Sequence, residues 1–386
     1  MPIFKTIAKD KFARAGVLST PHGDIETPVF MPVGTQASVK SLTPDDLKEV
    51  GAQIILANTY HLYLRPGEKL IKKLGGLHEF MNWDKPILTD SGGFQVMSLM
   101  NKKFNTAIVD STEVSVVIDE DGVTFTSHLD GSKHKFTPER SIKIQHDLGA
   151  DIIMAFDEVA ADHVGREYSE IALERTHRWA ERCLKEHKKL GGKQLLFGIV
   201  QGSVYEDLRK KGGEFISSLD FDGIALGGES VGYNNKATKE IMGWVNEILP
   251  EDKPHYAMGV GEVETIFYVV EGGVDMFDCV SPTRRARNGS LYISPKNGGK
   301  IKNNFQFSIS NSQFKLDKKP IDPGCVCYTC QNFSRAYLRH LFFAKELLYH
   351  RLATIHNIYF MTSLVKEIRE SILDKKFNRV KNKWLS

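Results

Sequence analysis

Between residues 29 and 280 the chain alternates short apolar runs with longer amphipathic stretches. The runs are FMPVG at 30–34, with Val29 before it, IILANTY at 54–60, ILTDSG at 87–92 and DIIMAFD at 151–157. LLFGIVQG at 195–202, GIALGG at 223–228, YAMGVG at 256–261 and DMFDCV at 275–280 continue the series. Each is nearly continuously apolar, as a strand covered on both faces must be, and most end in a small or polar residue. Eight such runs separated by helical stretches predict an α/β fold, a (β/α)8 barrel. An open, doubly wound sheet is the competing arrangement. The lack of a GxGxxG turn counts against its dinucleotide-binding form.

Helix boundaries fall in the gaps. Thr43-Pro44-Asp45-Asp46 supplies a cap, a proline at the first helical position and an acid at the third, and Thr137-Pro138 repeats that start. Gly51, Gly75, Gly149 and Gly191 stand where helices should stop. The 168–190 segment predicts a long helix with Ile171, Arg175, Trp179 and Cys183 on one stripe. Three stretches break the repeat. Residues 1–28 read as antiparallel strands capping one end of the barrel. Residues 104–136 contain VSVVI and VTFTSHL about Asp121-Gly122 and predict a hairpin inserted after the third strand. Residues 291–353 carry a cysteine cluster and an amphipathic helix. The barrel therefore spans 29–290, a subdomain 291–353, and residues 354–386 supply the last barrel helix, near 355–373, and a basic tail.

Composition narrows the class. No apolar run in the 386 residues approaches the roughly 18 needed for a membrane span. The opening MPIFKTIAKDKFAR lacks the apolar core of a signal peptide, so a cytoplasmic location is expected. A net charge of +3 says little, but its distribution says more. Arg284, Arg285, Arg287, Lys296, Lys300 and Lys302 occur with no acid among them, and so do Lys375, Lys376, Arg379, Lys381 and Lys383. Such blocks are either solvated faces or phosphate contacts. Cys325-x-Cys327-x2-Cys330 is a tight thiol set that one more ligand would complete as a tetrahedral Zn²⁺ site. His340, His350 and His356 lie downstream, and spacing does not choose among them. All-protein coordination would make the metal structural. Cys183 and Cys279 read as small core residues.

In a (β/α)8 barrel, chemistry gathers at the carboxyl ends of the strands. Those ends offer Asp90 with Ser91-Gly92-Gly93-Phe94-Gln95, Asp157-Glu158, Gln201-Gly202, Gly227-Gly228-Glu229, Met258-Gly259 and Asp278. Three carboxylates on one rim are costly to bury without partners or a task. Paired carboxylates suit displacement at an anomeric carbon, one as nucleophile and one handling a proton. Their repulsion separates the two pKa values. An ionised carboxylate can accept the N1–H and 2-amino donors of a guanine, while an amide and a glycine N–H serve its acceptors O6 and N7. The rim has the parts to read a purine and break a glycosidic bond.

Several strings together are far more specific: DSGGFQV (90–96), MAFDE (154–158), FGIVQG (197–202), ALGGE (225–229), MGVG (258–261), MFDCVSPTRRARNG (276–289), and CVCYTC (325–330) with His356-Asn357. On these, and over almost its full length, the chain resembles the bacterial-type tRNA-guanine transglycosylases. The resemblance implies a (β/α)8 barrel with a zinc subdomain, assembled as a homodimer and acting on the tRNA anticodon loop. It implies exchange of guanine at wobble position 34 of GUN anticodons for the deazaguanine base 7-aminomethyl-7-deazaguanine, in queuosine biosynthesis. In this reading Asp278 is the nucleophile and Asp90 the proton acceptor and donor. Asp157, Gln201 and Gly228 read the base, Phe94 and Met258 sandwich it, and Ser91, Gly92, Gly93 and Glu229 complete the pocket. Arg284 and Arg287 meet the RNA, and Cys325, Cys327, Cys330 and His356 hold structural Zn²⁺, one per chain.

The chain also departs from that pattern. Phe94 stands for the usual Tyr, Val159 for the usual Cys, and Tyr233 for an acid that helps bind the aminomethyl group. A new acid, Glu229, appears four residues before Tyr233. Two incoming bases follow: the aminomethyl base with Glu229 meeting its amine, or salvaged queuine in a remade pocket. A noncatalytic tRNA-binding subunit would lack Asp278 or Asp90, and a barrel acting on small sugars would need no zinc subdomain.

Overall fold

The computed structural model describes residues 2–98 and 116–386. Its eight parallel strands are β1 (Val29–Gly34), β2 (Ile55–Ala57), β3 (Ile87–Thr89), β4 (Ile152–Met154), β5 (Leu195–Val200), β6 (Gly223–Leu226), β7 (His255–Ala257) and β8 (Met276–Cys279). All eight apolar runs become barrel strands. They close in chain order, with β8 returning to β1 through Asp278 opposite Met31. Strand alternation sorts the side chains. Val29, Met31 and Val33, then Leu56, Leu88, Met154, Phe197, Ile199, Ala225, Tyr256 and Met276, fill the barrel interior. Their neighbours Phe30, Ile55, Ile87, Ile153, Leu196, Ile224 and Phe277 face the helices in a second, larger core.

One end of the barrel is plugged. Strands Phe4–Asp10, Ala13–Thr20 and Gly23–Thr27 form an antiparallel sheet, and its Phe4, Leu18 and Ile25 join the interior core. Arg14 anchors this sheet at the start of β8, with Nε 3.0 Å and Nη2 2.5 Å from the carboxylate of Asp275. The same guanidinium donates to the carbonyls of Glu251 and Lys253, so this buried pair is hydrogen-bonded on both sides. The open end is therefore the one where the strands terminate.

Three expectations need correction. The expected hairpin is present, Val116–Ile118 against Val123–Thr126, but a third strand, Lys133–Phe136, extends it to a three-stranded antiparallel sheet, and residues 104–115 lie outside the described residues. The third strand, KHKF, has one apolar residue and so escapes an apolar alternation. His134 stacks on Phe125, with centroids 5.4 Å apart, and takes the place of an apolar side chain. In the helix Arg166–Leu190, Trp179 and Cys183 are buried but Ile171 is exposed. The buried face instead mixes small residues, Ser169, Ala172, Thr176 and Ala180, with Leu173, His177 and Leu184. The last long helix runs Leu347–Leu373 and crosses the border expected at 353/354. It packs on both β1 and the short helix Tyr328–Asn332, joining barrel to subdomain. No described helix is long and apolar enough to cross a membrane.

Candidate active site

Extending the inward parity of each strand by one step gives Thr35 after Val33, Asn58 after Leu56 and Asp90 after Leu88. It also gives Gln201 after Ile199, Gly227 after Ala225, Met258 after Tyr256 and Asp278 after Met276. All of these line one cavity of about 830 Å³ at the open end of the barrel. Asp157 reaches it off parity. Beyond β4, Ala155 N still donates to Phe197 O at 2.9 Å, while the ring of Phe156 turns outward onto Trp179. Ser91, Gly92, Phe94, Gly228, Glu229 and Arg284 line the same cavity. Gly93 and Arg287 do not. Gly93 N donates to Ser91 Oγ at 3.2 Å, and Arg287 Nη1 donates to Thr283 O at 2.9 Å.

Each acid is held differently. Asp90 accepts from Thr59 N at 2.9 Å and Gly92 N at 3.1 Å on one oxygen, and from Asn58 Nδ2 at 2.5 Å on the other. Gly92 makes that turn at φ +80°, and a methyl group on it would come within 2.9 Å of the Phe136 ring. Only glycine allows the approach. Burial pushes Asp90 up to about 7, with the neighbouring charges of Asp278 and Asp157 adding and the two N–H donors opposing. Burial also raises Asp157 to about 6, against hydrogen bonds from Gln201 Nε2 at 2.7 Å and Ser91 Oγ at 3.3 Å. Asp278 accepts from Tyr256 Oη at 2.6 Å and Gly259 N at 3.0 Å, and burial lifts it above the ordinary carboxylate value. Burial and the Asp278 charge hold the Tyr256 phenol well above its normal value, so it stays a donor.

The sequence reading missed Asn58 and Tyr256. Asn58 follows the second strand inside the run IILANTY, which carries no acid, and Tyr256 reads as one more apolar strand residue. Parity finds both. Cys279 packs against the core as expected but is only part-buried. It lines the cavity because β8 ends there, and its Sγ accepts from Ser281 N at 3.3 Å. Cys183 is fully buried, as expected.

At the mouth, Phe94 is 43% exposed and presents a ring to the opening. Val159 and Tyr233 also line the cavity. The carboxylate of Glu229 accepts from Asp162 N at 2.8 Å, and Asp162 in turn accepts from the hydroxyls of Ser203 and Ser230. The new acid is thus tied to the loop after β4 while still facing the cavity.

The geometry selects His356 as the fourth member of the cysteine cluster. Its Nδ1 lies 3.9, 3.6 and 3.3 Å from Sγ of Cys325, Cys327 and Cys330. The four donor atoms all lie within 4.8 Å of one another, so the cluster can hold a metal ion. His356 Nε2 is 2.8 Å from the carbonyl of Tyr292, the outer partner that fixes ring orientation in metal-ligating histidines. His340 and His350 are not in the cluster.

A family model described as queuine tRNA-ribosyltransferase matches residues 9–386. A protein of that name from Caldanaerobacter subterraneus subsp. tengcongensis is 52% identical, covering 99% of this chain and 96% of its own length. Its namesake in Thermoanaerobacter pseudethanolicus is 53% identical over 96% of this chain and 93% of its own. One from Fusobacterium nucleatum is 49% identical over 99% and 97%. A barrel with acids gathered at its mouth, a Cys₃His cluster beside it and these matches agree: the chain belongs to the queuine tRNA-ribosyltransferase family, a family of pentosyl-transferring enzymes.

Proposed function

We propose that the protein exchanges guanine at position 34 of tRNAs with GUN anticodons for a 7-deazaguanine base, by double displacement through a covalent Asp278–ribose intermediate. The supporting observation is the single cavity that holds Asp90, Asp157 and Asp278, each with its own hydrogen-bond partners and each raised by burial above the ordinary carboxylate value. Ionised Asp278 attacks ribose C1′, the C1′–N9 bond breaks, and the electron pair leaves with guanine. Asp90, near half-protonation at neutral pH, gives that leaving base its proton. In the second half the incoming base returns a proton from N9 to Asp90. Its N9 attacks C1′, and Asp278 departs as the carboxylate. The fixed donors Tyr256 and Gly259 favour the ionised nucleophile, and repulsion between the two acids keeps the proton on Asp90.

Asp157 accepts the base's N1–H and 2-amino donors. The Gln201 amide and Gly228 N–H meet its acceptors. Phe94 and Met258 sandwich the ring, and base–aromatic stacking contributes on the order of 1–3 kcal/mol. Ser91, Gly92 and Gly93 form the turn that frames Asp90. Arg284 and Arg287 steer anticodon phosphates, which gives affinity that falls with salt. The Cys₃His set is the donor chemistry of structural Zn²⁺, one per chain, and that metal supplies folding energy rather than a chemical step. The macromolecular partner is the anticodon loop, the assembly is a homodimer, and the location is the cytoplasm. The test is a covalent tRNA–protein adduct formed when no incoming base is supplied.

A pH dependence follows from Asp157. It accepts two donors only when ionised, so guanine affinity is flat above pH 7. Below its pKa of about 6 the affinity falls about tenfold per pH unit. Competition binding of guanine from pH 5 to 8 measures this, and a flat profile overturns the role. The identity of the incoming base rests on Val159, Tyr233 and Glu229. With Glu229 at the cavity wall to meet a cationic amine, 7-aminomethyl-7-deazaguanine is the expected substrate. Queuine is the alternative, since Val159 and Tyr233 alter the same wall. Purified enzyme given tRNA charged with radiolabelled guanine decides. Release of label by queuine alone overturns the first assignment, and Glu229→Gln raises KM for the aminomethyl base about tenfold if it stands.

A further inference from the structure

Behind the wall that reads the base lies a fully buried guanidinium which the mechanism above does not use. Arg209, on the helix Glu206–Ser218, is completely excluded from solvent. Its Nε donates to Ser203 O at 2.7 Å, and its Nη1 donates to Val200 O at 3.2 Å and Gly227 O at 2.7 Å. Nη2 has no hydrogen-bond partner among the described residues. No described carboxylate forms an ion pair with this side chain, and burial draws its pKa down to about 10, opposed by the charge of Asp162. A buried cation satisfied by carbonyls rather than by a carboxylate is costly.

What those carbonyls belong to explains its place. Val200 and Ser203 flank Gln201 at the end of β5, and Gly227 precedes Gly228 at the end of β6. Both turns hold left-handed backbone, at Gly202 (φ +134°), Ser203 (φ +50°) and Gly228 (φ +120°). Such backbone does not hold itself, least of all at a residue with a β-carbon like Ser203. A methyl group on Gly228 would lie 2.4 Å from Nη2, and one on Gly202 would lie 2.7 Å from the backbone nitrogen of Arg209. One planar fork thus spans two strand ends, packed into space that only glycines leave free. Its rigidity suits the task, since a flexible ammonium cannot reach three carbonyls along fixed directions.

We propose that Arg209 is a positioning residue for base recognition, locking the Gln201 turn to the Gly227–Gly228 turn so that the Gln201 amide and the Gly228 N–H meet a single purine edge. The proposal rests on the base-exchange reading. It deepens that reading by assigning the pocket's geometry to a side chain that never touches the base.

The experiment compares wild-type enzyme with Arg209→Lys, which keeps the charge but loses the fork, and Arg209→Gln, which removes the charge. Base KM, kcat, tRNA Kd and melting temperature are measured for each. The expected result for a folded variant is a rise of about tenfold or more in KM for the base, because small misplacement of fixed donors is expensive, with tRNA Kd within about twofold. A purely structural role lowers melting temperature and active fraction but leaves base KM and tRNA Kd unchanged in the molecules that remain folded. A folded Arg209→Lys or Arg209→Gln with wild-type base KM overturns the proposal. If wild-type enzyme exchanges no base at all, the function reading fails instead, and the two failures are separate.

Discussion

Asp278→Asn eliminates the covalent tRNA adduct and lowers base exchange by at least about 10⁴-fold, the loss expected when a nucleophile is removed and only binding remains. The substitution is nearly isosteric. Its carbonyl oxygen still accepts from Tyr256 Oη and Gly259 N, which now sit 2.6 and 3.0 Å from the carboxylate. The melting temperature should hold or rise, because burial disfavours the charge that Asn removes. Lost activity in a fully folded protein is therefore the signature. Asp90→Asn is the informative contrast. It keeps Asp278 and, on its amide oxygen, the donors Thr59 N and Gly92 N, but its amide nitrogen cannot accept from Asn58 Nδ2 and it cannot carry a proton. General acid–base catalysis contributes about 10²–10⁴-fold, so Asp90→Asn still forms adduct, slowly. Radiolabelled tRNA incubated with each variant and run on a denaturing gel separates the two roles. Adduct from Asp278→Asn, or exchange above about one part in a thousand of wild type, removes Asp278 from the nucleophile's place.

The barrel is legible in the sequence because strands buried on both faces leave nothing polar to obscure them. Each of the eight runs shows the same apolar block, and the residue at or just beyond its end inherits the strand's parity. That is why Asp90, Gln201, Met258 and Asp278 can be picked out without coordinates. Asn58 carries the same parity but no charge. Attention to acids passes over it, although its amide is one of the three donors holding Asp90. Tyr256 and Arg209 are hidden for a different reason. Their hydrogen bonds, on which the proposed roles rest, lie at the tip of a side chain whose body reads as core or as helix surface. The fourth member of the cysteine cluster is illegible by spacing because His356 comes from a helix that returns across the subdomain. Local periodicity fails where small or polar residues take apolar places. The buried face of Arg166–Leu190 carries Ala and Ser while Ile171 faces out, and His134 packs where an aliphatic residue would be expected.

Stripping metal from the Cys₃His cluster, by chelation or by Cys330→Ser, should collapse the subdomain and carry the catalytic mouth with it. Structural zinc contributes on the order of 10–16 kcal/mol in small isolated domains, comparable to the whole stability of an ordinary fold. The damage has a path. His356 Nε2 meets Tyr292 O, and the next residue, Asn357, accepts from Tyr292 N at 3.1 Å. Asn357 Nδ2 donates to Pro282 O at 3.0 Å, in the first turn of the helix Ser281–Arg287, and to Ser290 O at 3.1 Å, just beyond its end. That helix starts two residues beyond Cys279 at the end of β8 and carries Arg284 into the cavity. Loss of the cluster therefore releases the segment that joins the strand of Asp278, the proposed nucleophile, to the basic stretch. The expected outcome is one equivalent of zinc per chain before treatment, a large drop in melting temperature after it, and a tRNA affinity that weakens and loses salt dependence. After chelation of the wild type, Zn²⁺ restores all three, whereas Mg²⁺, which demands oxygen ligands, restores none, and Cys330→Ser is not rescued. Base exchange and melting that persist unchanged in a chain shown to be metal-free would mean that packing around His356 and Asn357 suffices alone. The cluster would then be three thiols and an imidazole without a structural duty.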